Sequence, residues 1–176
     1  MAQYVEKIRV PVRVSQPGCA PVDGYLSLGP QAEFHAGPET ILERLNAPDR
    51  VIPFQRGDDE QILLLNRRDI EWVAADPAVS NNLICPPNYV VTAEEDVNLR
   101  LMGGGTLEGR VPMELPQEMN RASDFMNARE DFFRLLTPFG VLVVNKQRVS
   151  SFELTKPSPA PPGEQNGESA GAKSER

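Results

Sequence analysis

His35 is the chain's one histidine, and Cys19 and Cys85, far apart in sequence, are its two cysteines. Nucleophilic catalysis through a Ser-His-Asp or Cys-His arrangement would have to use His35. That residue lies in Glu33-Phe34-His35-Ala36-Gly37-Pro38, a loop-like run, and an ordinary loop histidine is expected. A structural zinc site takes about four N or S ligands. This chain has neither a CxxC nor paired histidines, so no metal site is expected. Both thiols are expected reduced, as in a cytoplasmic protein, with Cys85 filling space beside Pro86-Pro87.

Other runs invite chemistry and then fall short of it. Gly103-Gly104-Gly105-Thr106 is glycine-rich, but a phosphate loop needs GxxxxGK[ST] with a helix behind it. No lysine follows here, so a hairpin turn is expected. Arg67-Arg68-Asp69 resembles the arginine-rich start of a PilZ-type cyclic-dinucleotide site, whose downstream Asp-x-Ser-x-x-Gly this chain lacks; a charged turn is expected. Gly57-Asp58-Asp59-Glu60 and Glu94-Glu95-Asp96 lack the alternating ligand spacing of a calcium loop and read as solvated turns. Asp124 beside Ser123 reads as helix capping. No spacing selects an acid–base pair. The expectation is therefore a non-enzymatic protein with no catalytic, cofactor-binding or metal-binding residues.

The elements that would position any site must be carried by 176 residues, of which 40% are hydrophobic. That length suits one ordinary domain or two small ones. A net charge of −7 argues against nucleic acid as the default ligand. No apolar run is long enough to span a membrane. The start, Met1-Ala2-Gln3-Tyr4-Val5-Glu6-Lys7, does not read as a secretory signal, so a cytoplasmic location is expected. Residues 156–176 contain no large apolar side chain to offset the entropy of ordering them, and read as a disordered tail. Its charges cancel, leaving the −7 on residues 1–155. Pro159-Ala160-Pro161-Pro162 is too short to specify a polyproline ligand.

The body reads as an internal duplication. At one constant offset, Gly24-Tyr25-Leu26 aligns with Gly105-Thr106-Leu107, and Glu33-Phe34 with Glu114-Leu115. At the same offset Leu45-Asn46-Ala47 aligns with Met126-Asn127-Ala128, and Val51–Phe54 with Phe132–Leu135. After a shorter hairpin in the second copy, Ile62–Arg67 meets Val141–Lys146 and Ile70 meets Val149. Each copy reads as five short strands and one short helix. In the first, strands are expected at Ile8–Val14, Tyr25–Leu28, Val51–Phe54, Ile62–Leu65 and Ile70–Val73. Its helix opens at Gly37-Pro38-Glu39 and runs to Leu45. In the second, strands are expected at Val97–Leu101, Leu107–Val111, Phe132–Leu136, Val141–Val144 and Val149–Leu154, with Asn120 capping a helix over Arg121–Asn127. Asn46, Asn127, Asn66 and Asn145 read as helix-end and turn residues, a backbone role repeated in both copies. The expected organisation is a first small β domain over 1–75, a linker over 76–96, a second over 97–155, and the tail.

Five strands with one helical insertion resemble the small SH3-like and Sm-like barrels. Gly109 in the second strand, Glu118-Met119-Asn120, and the closing run Val143-Val144-Asn145-Lys146-Gln147-Arg148-Val149 carry the likeness to the Sm type. The family's Arg-Gly pair is here Asn145-Lys146, and Asn66-Arg67 in the first copy, so the resemblance implies the barrel rather than RNA contact. Arg121–Asn127 followed by Phe132–Leu135 also resembles a domain recurring in uncharacterised bacterial proteins. The fold expected is thus mainly β, two tandem small five-stranded barrel-like units. The function expected is a protein-interaction or scaffold role, through self-association or a protein partner, because open strand edges recruit partners by edge addition. The alternatives are an Sm-like nucleic-acid module using Arg67, Arg68, Lys146 and Arg148, and a small-molecule sensor with a pocket between the units near Trp72, Tyr89 and Phe139.

Overall fold

Apolar alternation places the first strand where the period-2 pattern requires it: Val10, Val12 and Val14 are buried, and Arg9, Pro11 and Arg13 between them are not. In the computed structural model, which describes residues 6–57, 61–116, 118 and 121–155, the first half of the chain is β1 (Ile8–Ser15), β2 (Val22–Leu28), α1 (Ile41–Asn46), β3 (Val51–Arg56), β4 (Ile62–Asn66), a 3-10 turn over Arg67–Asp69, and β5 (Trp72–Ala75). A short α2 (Asn81–Ile84) follows. The second half is β6 (Ala93–Leu101), β7 (Thr106–Met113), α3 (Ala122–Asn127), β8 (Phe132–Thr137), β9 (Gly140–Asn145), a 3-10 turn over Lys146–Arg148, and β10 (Val149–Leu154). The protein is mainly β, as the sequence leads one to expect. The expected tail, the Asp58–Glu60 run, Met119 and Asn120 lie outside the described residues.

The strands form one open antiparallel sheet in the order β10-β6-β7-β8-β9-β5-β1-β2-β3-β4. Each half contributes its strands in the same order, fifth-first-second-third-fourth. The sequence leads one to expect two tandem barrel-like units, closing either within one copy or across copies. In the sheet the hydrogen bonding runs on from one half into the other, because β5 of the first half pairs with β9 of the second. Among the described residues the edges of the sheet are β4 and β10.

Register revises the alignment of the two copies. Val12 pairs with Gly24 on one side and Ala75 on the other; Val97 pairs with Gly109 and Leu154. Gly24 is therefore the counterpart of Gly109, and not of Gly105. The physical cause is a shared close approach. A Cβ on Gly24 would strike the Gln55 carbonyl and the Phe54 ring, and one on Gly109 would strike the Leu136 carbonyl and the Leu135 side chain. Gly105 has no such neighbour and belongs to the β6–β7 hairpin, where Gly104 takes φ +94. The difference in spacing falls in the loop before the helix, which is longer in the first half.

Helix starts also differ from the sequence reading. Helix α1 begins after Thr40 rather than at Pro38, with a complete capping box: the Glu43 N–H donates to Thr40 Oγ1, and Thr40 N donates to the Glu43 carboxylate. Glu39 is taken up earlier, its Oε2 accepting from Gly29 N at 2.8 Å. Helix α3 starts after Arg121 without a side-chain cap, so Ser123 and Asp124 do not cap it; Asp124 adds only its charge in the first turn. The Glu94-Glu95-Asp96 run is part of β6 rather than a turn, and Arg110 on β7 bonds Asp96 at 3.0 Å and lies 3.6 Å from Glu94.

Two apolar clusters form the core. The first is built on β1–β5, α1, Ile84 and Cys85, the second on β6–β10 with Phe125. Residues 76–96, read as a linker, thus hold α2, buried Ile84 and Cys85, and the start of β6. Cys19 and Cys85 are both free thiols, the former exposed and the latter buried. Desolvation pushes the Cys85 thiol up to about 11. A thiol reagent at pH 8 is expected to label Cys19 at once and Cys85 only on unfolding; equal labelling rates would contradict this burial. Among the described residues no helix is long and apolar enough to cross a membrane.

Candidate interaction edges

The pairing of β5 with β9 shows how one sheet edge of this fold is satisfied by another. Trp72 lies opposite Val144, Val73 opposite Val143 and Ala74 opposite Leu142. Val73 and Val143 face the first apolar cluster, and Trp72 and Val144 the second, so at Val143 and Val144 this strand pair is covered on both faces. That accounts for the unbroken apolar run Val141-Leu142-Val143-Val144, since a strand buried on both sides loses its polar alternation.

Polar groups lock the same junction. Asn145, buried, donates from Nδ2 to the Ile70 carbonyl at 2.8 Å, and its N–H donates to the Glu71 carbonyl at 2.9 Å. Its Oδ1 accepts from Gln147 N at 3.0 Å, the turn role expected of it, and Asn66 Oδ1 accepts from Arg68 N in the equivalent turn. Asn46 does more than end α1. Its side chain pairs with the backbone of Phe132 in both directions, at 2.9 and 3.0 Å, tying the helix of one half to the third strand of the other. Arg67 Nη2 lies 3.2 Å from Asp131, and Arg148 pairs with Asp69.

The cations considered for nucleic acid are mostly held in these contacts. Arg67 also donates to the Leu45 and Ala47 carbonyls. Lys146 donates to the Phe125 carbonyl and sits 4.5 Å over the Phe125 ring, and burial lowers its pKa. Arg68 is exposed. Of the residues considered for a pocket, Trp72 and Phe139 line the same open cleft, of about 610 Å³, beside the junction. Tyr89 lies elsewhere, its hydroxyl donating to the Pro112 carbonyl and its ring under Arg134.

His35 sits in a loop, as expected, but is tied to α1. Nδ1 faces the Ala36 carbonyl and Nε2 the Glu43 carboxylate, each at 3.0 Å. Both partners are acceptors, so the doubly protonated ring satisfies both, and its pKa rises, through the Ala36 carbonyl first and then Glu43. A raised pKa in the folded state gives stability that is complete below the ring's ordinary value near 6.5 and is lost as pH rises through the folded value. Because the chain has one histidine, an NMR titration reads it directly. The expected result is a pKa above 6.5 that falls part of the way back in Glu43→Gln, since the Ala36 carbonyl remains; a value at or below 6.5 in the unsubstituted protein would contradict the geometry.

At the outer edges the same strand positions lie open. On β4, Ile62 and Leu64 are 55% and 71% exposed, while Leu63 and Leu65 face the first cluster. On β10, Leu154 is 54% exposed. The apolar run Ile62-Leu63-Leu64-Leu65 was the available signal: like its counterpart on β9 it reads as a strand covered on both faces, and here no described residue covers one of them. No protein-family model matches the chain, and neither a curated protein nor a solved structure matches it.

Proposed function

We propose that this protein is a non-enzymatic interaction and assembly protein, a duplicated five-stranded unit of SH3-like or Sm-like kind that binds protein through its sheet edges. The observation that carries this reading is β4. Soluble proteins blunt their edge strands with charge, proline or brevity, to prevent unwanted pairing. The apolar part of β4, Ile62–Leu65, has no charge and no proline, and presents two large aliphatic side chains to solvent. An edge kept in that state fits strand addition, in which main-chain hydrogen bonds supply affinity and alternate side chains supply selectivity.

The test is recovery of tagged protein from cells after mild cross-linking, comparing the natural sequence with Ile62→Lys/Leu64→Lys. Both sites are exposed, so the thermal melt should hold. Associated protein, whether further copies of the chain or another protein, is expected with the natural edge and lost with the charged one. Equal recovery from both would contradict the proposal.

A further inference from the structure

Resting on that reading, we infer that what pairs with these edges is a second copy of the same chain, joined head to tail: β10 of one copy alongside β4 of the next, repeating the β5–β9 junction. That junction joins the fifth strand of one half to the fourth strand of the other. The strands left open are a fourth strand, β4, and a fifth strand, β10. The two unsatisfied edges are therefore the two sides of a junction already built once within the chain.

Register can be carried across. β5 and β10 hold equivalent places against β1 and β6, so Trp72, Val73 and Ala74 correspond to Ser151, Phe152 and Glu153. β4 and β9 hold equivalent places against β3 and β8, so Val144, Val143 and Leu142 correspond to Leu65, Leu64 and Leu63. Ser151 would face Leu65 of the next copy, Phe152 its Leu64, and Glu153 its Leu63. One step further, exposed Leu154 would meet exposed Ile62.

Burial supports the same match. Phe132 and Val143 are 2% and 0% exposed at the internal junction and Val141 packs against the first cluster. Their counterparts Val51, Leu64 and Ile62 are 40%, 71% and 55% exposed. The polar clamp carries over too. Asn46 holds the backbone of Phe132, and its counterpart Asn127, exposed at the end of α3, would hold that of Val51 in the next copy. Arg148 and Asp69 of the next copy would stand at the places of Asp69 and Arg148 with the signs still opposed, although each is already paired within its own copy. The pair of Arg67 with Asp131 is not repeated: Lys146 would face Arg50. Two cations there, added to a net charge of −7 on every copy, make the association weaker at low salt and stronger as salt screens them.

Because the junction is heterologous, each copy added presents a fresh edge, so assembly passes beyond the dimer to a ring or a filament. The test uses the purified full chain of 19.4 kDa, with light scattering on a size-exclusion column over a hundredfold range of concentration. More than two copies per particle are expected, with mass rising at higher salt. Ile62→Glu/Leu64→Glu blocks one edge and Ser151→Glu/Leu154→Glu the other. Each variant by itself is expected to be a monomer with its fold intact by circular dichroism. Mixed, the two are expected to form a one-to-one heterodimer and nothing larger, through the one intact junction. A monomeric natural protein at every concentration, or a single-edge variant that forms homodimers, overturns the inference. If the purified chain is monomeric while cells yield an edge-dependent partner of another sequence, the inference falls and the assembly reading stands. If neither association is found, both fall.

Discussion

Substituting alanine at Gly24 or Gly109 is expected to destabilise the protein by about 3 kcal/mol each, while the same change at Gly105 is neutral or slightly stabilising. An open strand position normally gains by Gly→Ala, since the unfolded chain loses freedom. At Gly24 and Gly109 the sign is reversed, because the added Cβ has nowhere to go. A backbone carbonyl of the next strand, from Gln55 in one case and Leu136 in the other, occupies its place. Backbone cannot step aside as a flexible side chain can. At Gly105 the nearest atom to the new carbon is a Leu101 methyl at 3.7 Å, an ordinary contact. For a body of this size the loss amounts to roughly 10 °C in Tm. The comparison also separates the two ways of aligning the copies. Equal sensitivity at Gly24 and Gly105, with Gly109 indifferent, would contradict the register described above.

The second large effect is at the internal junction. Val143→Asp is expected to cost about 4 kcal/mol or more, and to melt both halves together. Val143 belongs to the second half by sequence, yet is fully buried in the apolar cluster of the first. A carboxylate there is either desolvated or protonated, and both are expensive. Leu64→Asp, the counterpart at the open edge, is expected to change the stability of the single chain by no more than about 0.5 kcal/mol, because the side chain stands in water. Thermal melts of the two variants at low protein concentration make the check. Two separate transitions in Val143→Asp, or equal losses in both variants, would contradict a junction that couples the halves.

The strands were legible in the sequence because each carries its own local signal. Alternation marked β1 and β6, and the paired apolar blocks marked β3, β4, β8 and β9. The capping box was legible too, as Thr40-Ile41-Leu42-Glu43, although Pro38 with its favourable first-turn geometry drew the helix start to the wrong place. The alignment of Gly24 went astray because a glycine in a turn and a glycine under a crossing strand look alike in sequence. What tells them apart is the carbonyl overhead, which is a tertiary fact. Whether a unit closes on itself or across to the other copy was not legible, for a related reason. A fourth strand apolar on both faces states that it will be covered, but not by which fifth strand. Asn46 and Asn145 show the same limit. Their turn and helix-end positions could be read locally, whereas their grip on Phe132 and Ile70 spans the two halves and leaves no local pattern.

The most direct measurement of the central claim, that the internal junction is repeated between copies, is a disulfide trap in a Cys19→Ser background. Glu153→Cys on β10 and Leu63→Cys on β4 occupy the places of Ala74 and Leu142, which face each other within the chain. Mild oxidation of this double variant is expected to give a ladder of covalent multimers on a non-reducing gel. Glu153→Cys with Gln61→Cys, on the same face but one pair out of register, is expected to give little. A protein that stays single after oxidation, or that cross-links equally well in both registers, would contradict the account.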